Sequence, residues 1–174
     1  NDIVYKKTLS GTKNKEIILT NPITGTAASN DFFGNSTAIC GKYLIVGSLN
    51  ARGMAGLAFI YERDKDYTSN QNSRYGTWNL IQELRPSSDS FPGASAQGEP
   101  LGDTTEHPGN FGTSVAINEN YAVVGAYWTG GNGKGRVYVY KINVDGSWGT
   151  EVSGQTYRTE TQELAASDAA DYDH

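Results

Sequence analysis

The stretch Asn30-Asp-Phe-Phe-Gly-Asn-Ser-Thr-Ala-Ile-Cys-Gly-Lys-Tyr-Leu-Ile-Val-Gly-Ser48 returns later in the chain as Gly109-Asn-Phe-Gly-Thr-Ser-Val-Ala-Ile-Asn-Glu-Asn-Tyr-Ala-Val-Val-Gly-Ala126. Each copy has a Phe-Gly pair near its start and a Val-Gly pair near its end. A long stretch that recurs in this way indicates repeated supersecondary units.

The spacing between the copies is nearly constant. Equivalent residues lie 78, 79 and 80 positions apart in three places: Gly34 and Gly112, Gly56 and Gly135, and the leucines of two Gln-Glu-Leu triplets, Leu84 and Leu164. The insertions therefore fall in loops, while the structural elements keep their order.

The composition predicts an all-β protein. The 174 residues include 21 glycines and 11 tyrosines and have few long aliphatic runs, which suits short strands and tight turns. The net charge is -5, and the basic residues do not form a stripe that could neutralise phosphates, so nucleic acid is not an expected partner. The longest apolar runs have about five residues, and a membrane span needs roughly 20.

Each repeat is predicted to contain four antiparallel strands. In the first unit these are 36–39, 43–46, 56–62 and 77–84, with a tight turn at Gly41-Lys42. In the second unit they lie near 113–117, 121–124, 135–142 and 157–164. Residues 3–6 and 16–19 resemble only the third and fourth strands of an earlier unit.

Several strands are apolar on both faces, which favours sheets stacked around an axis. A strand with one face in solvent alternates apolar and polar residues. That alternation is missing from Leu44-Ile-Val46, Ala122-Val-Val124 and Leu57-Ala-Phe-Ile-Tyr61. Sheets in a β-propeller are covered on both faces by their neighbours, whereas sheets in a sandwich are not. We therefore predict propeller blades.

The chain is predicted to hold about two and a half blades of a larger or assembled propeller, because a propeller usually has four to eight. The predicted parts are the second half of an earlier blade (1–29), a blade (30–84), a long inter-blade loop (85–109), a second blade (110–164) and the lead-in to a further blade (165–174).

The repeated motif resembles FG-GAP repeats, the blades of integrin-α-type β-propellers. The positions that carry the resemblance are the Phe-Gly and Val-Gly pairs, with Phe33, Gly34 and Gly47 in one unit and Phe111, Gly112 and Gly125 in the other. We expect the glycines to allow close backbone approach and the phenylalanines to fill the wedge between adjacent sheets.

The resemblance does not extend to the calcium site of integrin-type repeats. That site is an Asp-rich cage in the turn between the first two strands, because calcium needs six to eight oxygen ligands. The turns here are Gly41-Lys42 and Asn118-Glu-Asn120, so the units resemble a short-turn variant, and no cofactor is expected. Asp168, Asp171 and Asp173 are weak candidates for a calcium site, and ordinary turn chemistry also explains them.

Two single residues have a candidate role. Asn35-Ser-Thr37 is a glycosylation sequon, and in a secreted protein Asn35 would be a candidate acceptor. Cys40 ends a predicted strand, where we expect a small half-buried residue; an intermolecular disulfide is the alternative.

The loops of the two units sort to two ends of the sheets. Because the strands are antiparallel, loops 48–55, 85–110 and 126–134 emerge at one end, which is where integrin-like propellers bind partners. By this resemblance the candidate contact residues are Arg52, Glu106, His107, Tyr127 and Trp128. Alternatively, Tyr127 and Trp128 pack against a neighbouring blade.

The expected function is non-enzymatic. The resemblance implies an extracellular or cell-surface segment for protein interaction, adhesion or structural assembly, with other blades, other subunits, or an extracellular protein or glycan as partners. One alternative is a carbohydrate-binding or enzymatic propeller with a pocket at the channel mouth. A second alternative is a self-assembling subunit of an extracellular fibre.

Overall fold

The computed structural model describes residues 2–7, 13–23, 30–64, 77–87, 109–128 and 134–167. These ranges contain β1 (Asp2–Lys7), β2 (Lys13–Ile18), β3 (Phe33–Cys40), β4 (Tyr43–Ser48), α1 (Ala51–Met54), β5 (Leu57–Arg63), β6 (Trp78–Leu84), β7 (Ser114–Ile117), β8 (Tyr121–Ala126), β9 (Arg136–Lys141), β10 (Thr150–Glu151), β11 (Tyr157–Thr159) and β12 (Gln162–Leu164). The predicted all-β class is confirmed. No helix in the described ranges is long and apolar enough to span a membrane.

The first repeat forms four antiparallel strands in chain order, β3-β4-β5-β6. A two-residue turn at Gly41 and Lys42 joins β3 to β4, and Cys40 pairs with Tyr43 across it. The Gly41 backbone has φ 56°, which glycine adopts without steric cost. Cys40 is half-buried at the end of β3, as predicted. These strands, with the additions described below, are called the first sheet.

The second repeat forms the second sheet, with strand order β7-β8-β9-β12. Its register matches that of the first sheet, because Gly125 pairs with Val137 as Gly47 pairs with Ala58. The preceding pair, β1 and β2, forms a separate antiparallel ribbon in which Asp2 pairs with Ile18. The predicted third and fourth strands of an earlier unit are therefore present as strands.

The prediction of one strand over residues 157–164 is wrong. Only β12, residues 162–164, pairs with β9 as the fourth strand of the second sheet. Residues 157–159 form β11, which pairs in parallel with β6 of the first sheet, and β10 pairs with β11. The first sheet therefore has six strands, two of which come from the second repeat.

The two faces of the first sheet lie in different hydrophobic clusters. Ile45, Ala58 and Ile60 belong to the cluster that also contains side chains of the second sheet. Val46, Leu57 and Phe59 belong to the other cluster, against which Leu19, Ile23 and Phe33 pack. All five residues of Leu57–Tyr61 are buried, which confirms that this strand is covered on both faces.

Candidate interaction site at the repeat junction

The Phe-Gly turn has the same backbone in both repeats. Phe32 and Gly34 have φ values of 52° and 90°, and their equivalents Asn110 and Gly112 have 51° and 89°. A left-handed backbone costs most residues other than glycine about 1–2 kcal/mol, so Phe32 holds this shape against its own preference, whereas asparagine at position 110 adopts it more readily. The sheet end that carries both turns and the connections from β4 to β5 and from β8 to β9 is called the FG end.

The second Phe-Gly turn docks into the first sheet. Phe111 is fully buried and packs edge-to-face on Tyr138 and Tyr140 of its own sheet, with ring centroids 5.4 and 6.2 Å apart. Its backbone N–H donates to the Ala55 carbonyl oxygen at 3.1 Å, and it pairs in parallel with Gly56. The predicted wedge between sheets is therefore observed for Phe111.

Glycine is required where the two repeats touch. A Cβ atom added to Gly47 would lie more than 1 Å inside ordinary contact with the backbone oxygen of Gly112. A Cβ atom added to Gly112 would in turn overlap the carbonyl oxygen of Leu57. The Ser36 hydroxyl closes the contact by donating to the Gly112 carbonyl oxygen at 2.7 Å. The Phe-Gly pair of one repeat therefore fits against the Val-Gly pair of the preceding repeat.

The sequon residue Asn35 is also part of this junction. Its side-chain N–H₂ group donates to the carbonyl oxygens of Gly112 at 3.1 Å and Thr113 at 3.2 Å, and its Oδ1 accepts from Leu49 N–H. A glycan on Nδ2 would replace one of the two protons and break one of these two hydrogen bonds. Glycosylation of Asn35 stays a prediction from the sequon, and these two hydrogen bonds oppose it.

A second contact joins residues 148–159 of the second repeat to the first sheet. The Trp148 ring packs edge-to-face on Tyr43, with centroids 5.1 Å apart, and Arg85 lies over the Tyr157 ring at 3.9 Å. The Arg85 N–H also donates to the Arg158 carbonyl oxygen at 2.9 Å. Residues 148–159 thus pack against the first sheet, and they are called the clamp.

Our strand assignment missed this clamp, although the sequence contains a signal for it. Trp78 precedes Leu84 by six residues, whereas Trp148 precedes the equivalent Leu164 by 16. The ten additional residues contain β10 and β11, which pair with the neighbouring sheet.

Three of the five candidate contact residues lie at the FG end. Arg52 is in α1, where burial lowers the pKa of its guanidinium and the nearby charge of Arg85 lowers it further. Tyr127 and Trp128 follow β8 and stack edge-to-face with centroids 5.9 Å apart. Glu106 and His107 lie outside the described residues.

The FG end also exposes two large apolar side chains that the sequence did not single out. Phe32 is 59% exposed and Met54 is 47% exposed. Both have left-handed backbones, at φ 52° and 73°, and the Met54 carbonyl oxygen accepts a hydrogen bond from Asn110 N–H at 3.1 Å. The fold therefore fixes the backbone that carries these exposed apolar side chains, at the end where the candidate contact residues lie.

The opposite end carries the short turns. The Lys42 ammonium pairs with the Glu62 carboxylate, and the Asn118 Oδ1 accepts from the N–H groups of Asn120 and Tyr121. Within the described ranges, no three His, Cys, Asp or Glu side chains come together at a metal site. Asp168, Asp171 and Asp173 lie outside those ranges.

Comparison with known proteins identifies the repeat. No curated protein matches the chain. Residues 106–140 match the family model described as the FG-GAP repeat. That segment contains Phe111 and Gly112 at the junction, Gly125, and most of the second sheet. Residues 106–140 therefore carry an FG-GAP repeat, which is consistent with an FG-GAP β-propeller family.

Proposed function

We propose that this chain is a non-enzymatic, extracellular segment of an FG-GAP β-propeller that mediates protein interaction, adhesion or assembly at the cell surface. The FG-GAP repeat suggests a propeller-type interaction domain. The observation that carries the proposal is the pair of exposed apolar side chains, Phe32 and Met54, on strained backbone at the FG end.

Exposed apolar groups on strained backbone support an interaction role for two reasons. Backbone strain persists only where the surrounding structure imposes it, and it clusters at functional sites. Exposed aromatic and methionine side chains are also enriched in the cores of protein interfaces. The mechanism would be rigid presentation: the sheets fix the position of the FG end, and a partner gains contact area without ordering a mobile loop.

The experiment replaces the apolar side chains and measures binding to purified extracellular proteins and glycans. The double variant Phe32→Ser, Met54→Ser should weaken binding of the captured partner at least tenfold. The control Ile39→Ser removes an apolar side chain that is 63% exposed near the other end of β3, and it should leave binding unchanged. Equal affinities for the double variant and the wild type would contradict the proposal.

The location is tested separately. Antibody against the chain should label intact cells of the source organism, and protease added outside the cells should remove the label. Labelling only after permeabilisation would contradict the extracellular part of the proposal.

We also propose that these repeats fold without calcium. The short turns support this, because the Asn118 side-chain oxygen is already engaged by two backbone N–H groups and a calcium cage needs six to eight free oxygens. Thermal unfolding with and without chelator should give the same Tm. A Tm that rises with calcium concentration would contradict the proposal.

A further inference from the structure

Two arginine side chains come together at the FG end of the first sheet. Arg52 is in α1, which precedes β5, and Arg85 follows Leu84, the last residue of β6. Leu84 pairs with Ala58 near the start of β5, so the end of β6 lies beside the start of β5. The charge of Arg85 is close enough to act on the Arg52 guanidinium. These two residues are called the arginine pair.

The charges around the arginine pair do not balance. Burial lowers the pKa of the Arg52 guanidinium, the charge of Arg85 lowers it further, and the carboxylate of Glu83 raises it. Among the described residues, Glu83 supplies the one carboxylate that acts on Arg52 in this way. It already binds the Nε–H of Arg85, which is one of the five N–H groups of a guanidinium. Two partly buried cations therefore share one carboxylate, and burial strengthens the repulsion between them.

The structure fixes the Arg85 side chain and the Arg52 backbone. Arg85 lies over the Tyr157 ring, 3.9 Å from its centroid, and stacking of this kind orients the plane of a guanidinium. Arg52 has a left-handed backbone at φ 57°, which is unusual for a long side chain. Such strain persists only where the surrounding structure imposes it, and it clusters at binding sites. The arginine pair is therefore largely in place before a partner binds.

The arginine pair lies beside the exposed apolar side chains of the FG end. Met54 is two residues from Arg52 in α1. The Asn50 N–H, at the start of α1, donates to the Asp31 carbonyl oxygen at 3.2 Å, which places Phe32 next to the same helix. Phe32 and Met54 are both exposed. This part of the FG end therefore combines an excess of positive charge with apolar surface.

We propose that the arginine pair binds a carboxylate of the protein partner, on a peptide segment whose acidic residue has apolar neighbours. This rests on the proposed function as an interaction segment, and it names the chemistry of the partner. The carboxylate would supply the missing negative charge and accept charge-assisted hydrogen bonds from both guanidinium groups. The apolar neighbours of the acidic residue would cover Phe32 and Met54, and methionine adapts its shape to varied apolar groups.

The apolar surface favours an acidic peptide over an acidic glycan. A sugar acid carries hydroxyl groups around its carboxylate. Those hydroxyl groups would lose their water against Phe32 and Met54 without gaining a hydrogen bond, which costs binding free energy. A leucine beside a glutamate would instead bury apolar area on the same surface.

The test titrates a capped peptide with one glutamate between two leucines into the ¹⁵N-labelled chain and follows NMR shifts. Shifts should concentrate at the Nε–H signals of Arg52 and Arg85 and at the amide of Met54, with a Kd of about 1 mM for so short a segment. The same peptide with glutamine in place of glutamate should bind at least about fivefold more weakly. Equal affinities for the two peptides, shifts elsewhere, or no shifts up to about 5 mM would overturn the proposal.

A matched pair of variants tests the position of the site. Arg63 is the control, because it lies at the opposite end of β5, over the Trp78 ring at 5.9 Å. Arg52→Gln should weaken binding of the glutamate peptide at least about fivefold, and Arg63→Gln should leave it unchanged. Equal effects of the two variants would overturn the assignment. The comparison of the two peptides uses the wild-type chain, so it holds even if a variant folds poorly.

Two further measurements separate the class of partner and the proposed function. An oligomer of galacturonic acid at the same concentration should not displace the glutamate peptide, and displacement would overturn the assignment to a peptide. Binding of the captured protein partner should be weakened by Arg52→Gln as well as by Phe32→Ser, Met54→Ser. If only the double variant loses the partner, the carboxylate proposal fails while the proposed function stands. If neither loses it, both fail.

Discussion

Two equivalent glycines are predicted to respond differently to the same substitution. In Gly47→Ala the new methyl group would overlap the Gly112 carbonyl oxygen, which is backbone and cannot rotate away. In Gly125→Ala the nearest atom is the Ser114 hydroxyl oxygen, and the next lies at 3.6 Å. Each glycine also faces the serine hydroxyl of its own sheet, so comparing the two variants cancels that contact.

The magnitude follows from the contacts. Relieving the overlap at Gly47 must move the second Phe-Gly turn by about 1 Å, an overpacking cost of about 1–3 kcal/mol. The same movement breaks the Ser36 to Gly112 hydrogen bond, which costs about 1 kcal/mol. Gly47→Ala should therefore destabilise the chain by about 2–4 kcal/mol. Gly125→Ala should be nearly neutral, because rotation of Ser114 removes the overlap and alanine reduces the entropy of the unfolded chain.

The assay is thermal and urea unfolding of the two variants and the wild type. At about 2–4 °C per kcal/mol for a chain of this length, Gly47→Ala should lower the Tm by roughly 4–16 °C. The Tm of Gly125→Ala should stay close to that of the wild type. Equal Tm values for the two variants would refute the claim that the repeats meet at Gly47 and leave Gly125 open.

Four further substitutions have effects that follow from burial and pKa. Phe111→Ala should lower the free energy of unfolding in urea by about 3–5 kcal/mol, because the ring is fully buried between the sheets. Phe32→Ala at the exposed FG end should lower it by less than about 0.5 kcal/mol. Similar values for the two variants would argue against the wedge. Trp148→Ala should cost about 3–5 kcal/mol by calorimetry and expose Tyr43, and an unchanged Tm would show that the clamp is not formed. Burial raises the pKa of Tyr61 to about 12, so the folded chain retains a proton that the unfolded chain releases above pH 10, and stability should fall between pH 10 and 12. Tyr61→Phe should reduce that fall, and parallel pH profiles for variant and wild type would contradict the shift.

The repeated sequence predicted most of the fold because the local signals agreed with the tertiary structure. Gly41 and Lys42 form the expected hairpin, and the doubly apolar strand Leu57–Tyr61 is buried on both faces. The role of Phe111 was also predictable, because a large ring beside a glycine suits a narrow space between sheets. These features depend on the residue type and on its neighbours in the chain.

The pairing of residues 150–159 depends instead on the partner strand. β11 is three residues long and pairs with β6 of the other repeat, so its position is set by contacts such as Arg85 with Tyr157. Local propensity does not specify which edge such a short strand joins. The exposure of Phe32 and Met54 likewise could not be predicted from the sequence, because burial at the FG end depends on how the loops pack.

The central claim is that the Phe-Gly turn of one repeat is locked into the preceding repeat. The most direct test is amide hydrogen exchange at Asn110 and Phe111, whose N–H groups donate to the carbonyl oxygens of Met54 and Ala55. The account predicts that both amides exchange only on global unfolding, as slowly as the core strands β4 and β5. Exchange of these two amides at the rate of an open loop, while β4 and β5 stay protected, would contradict it.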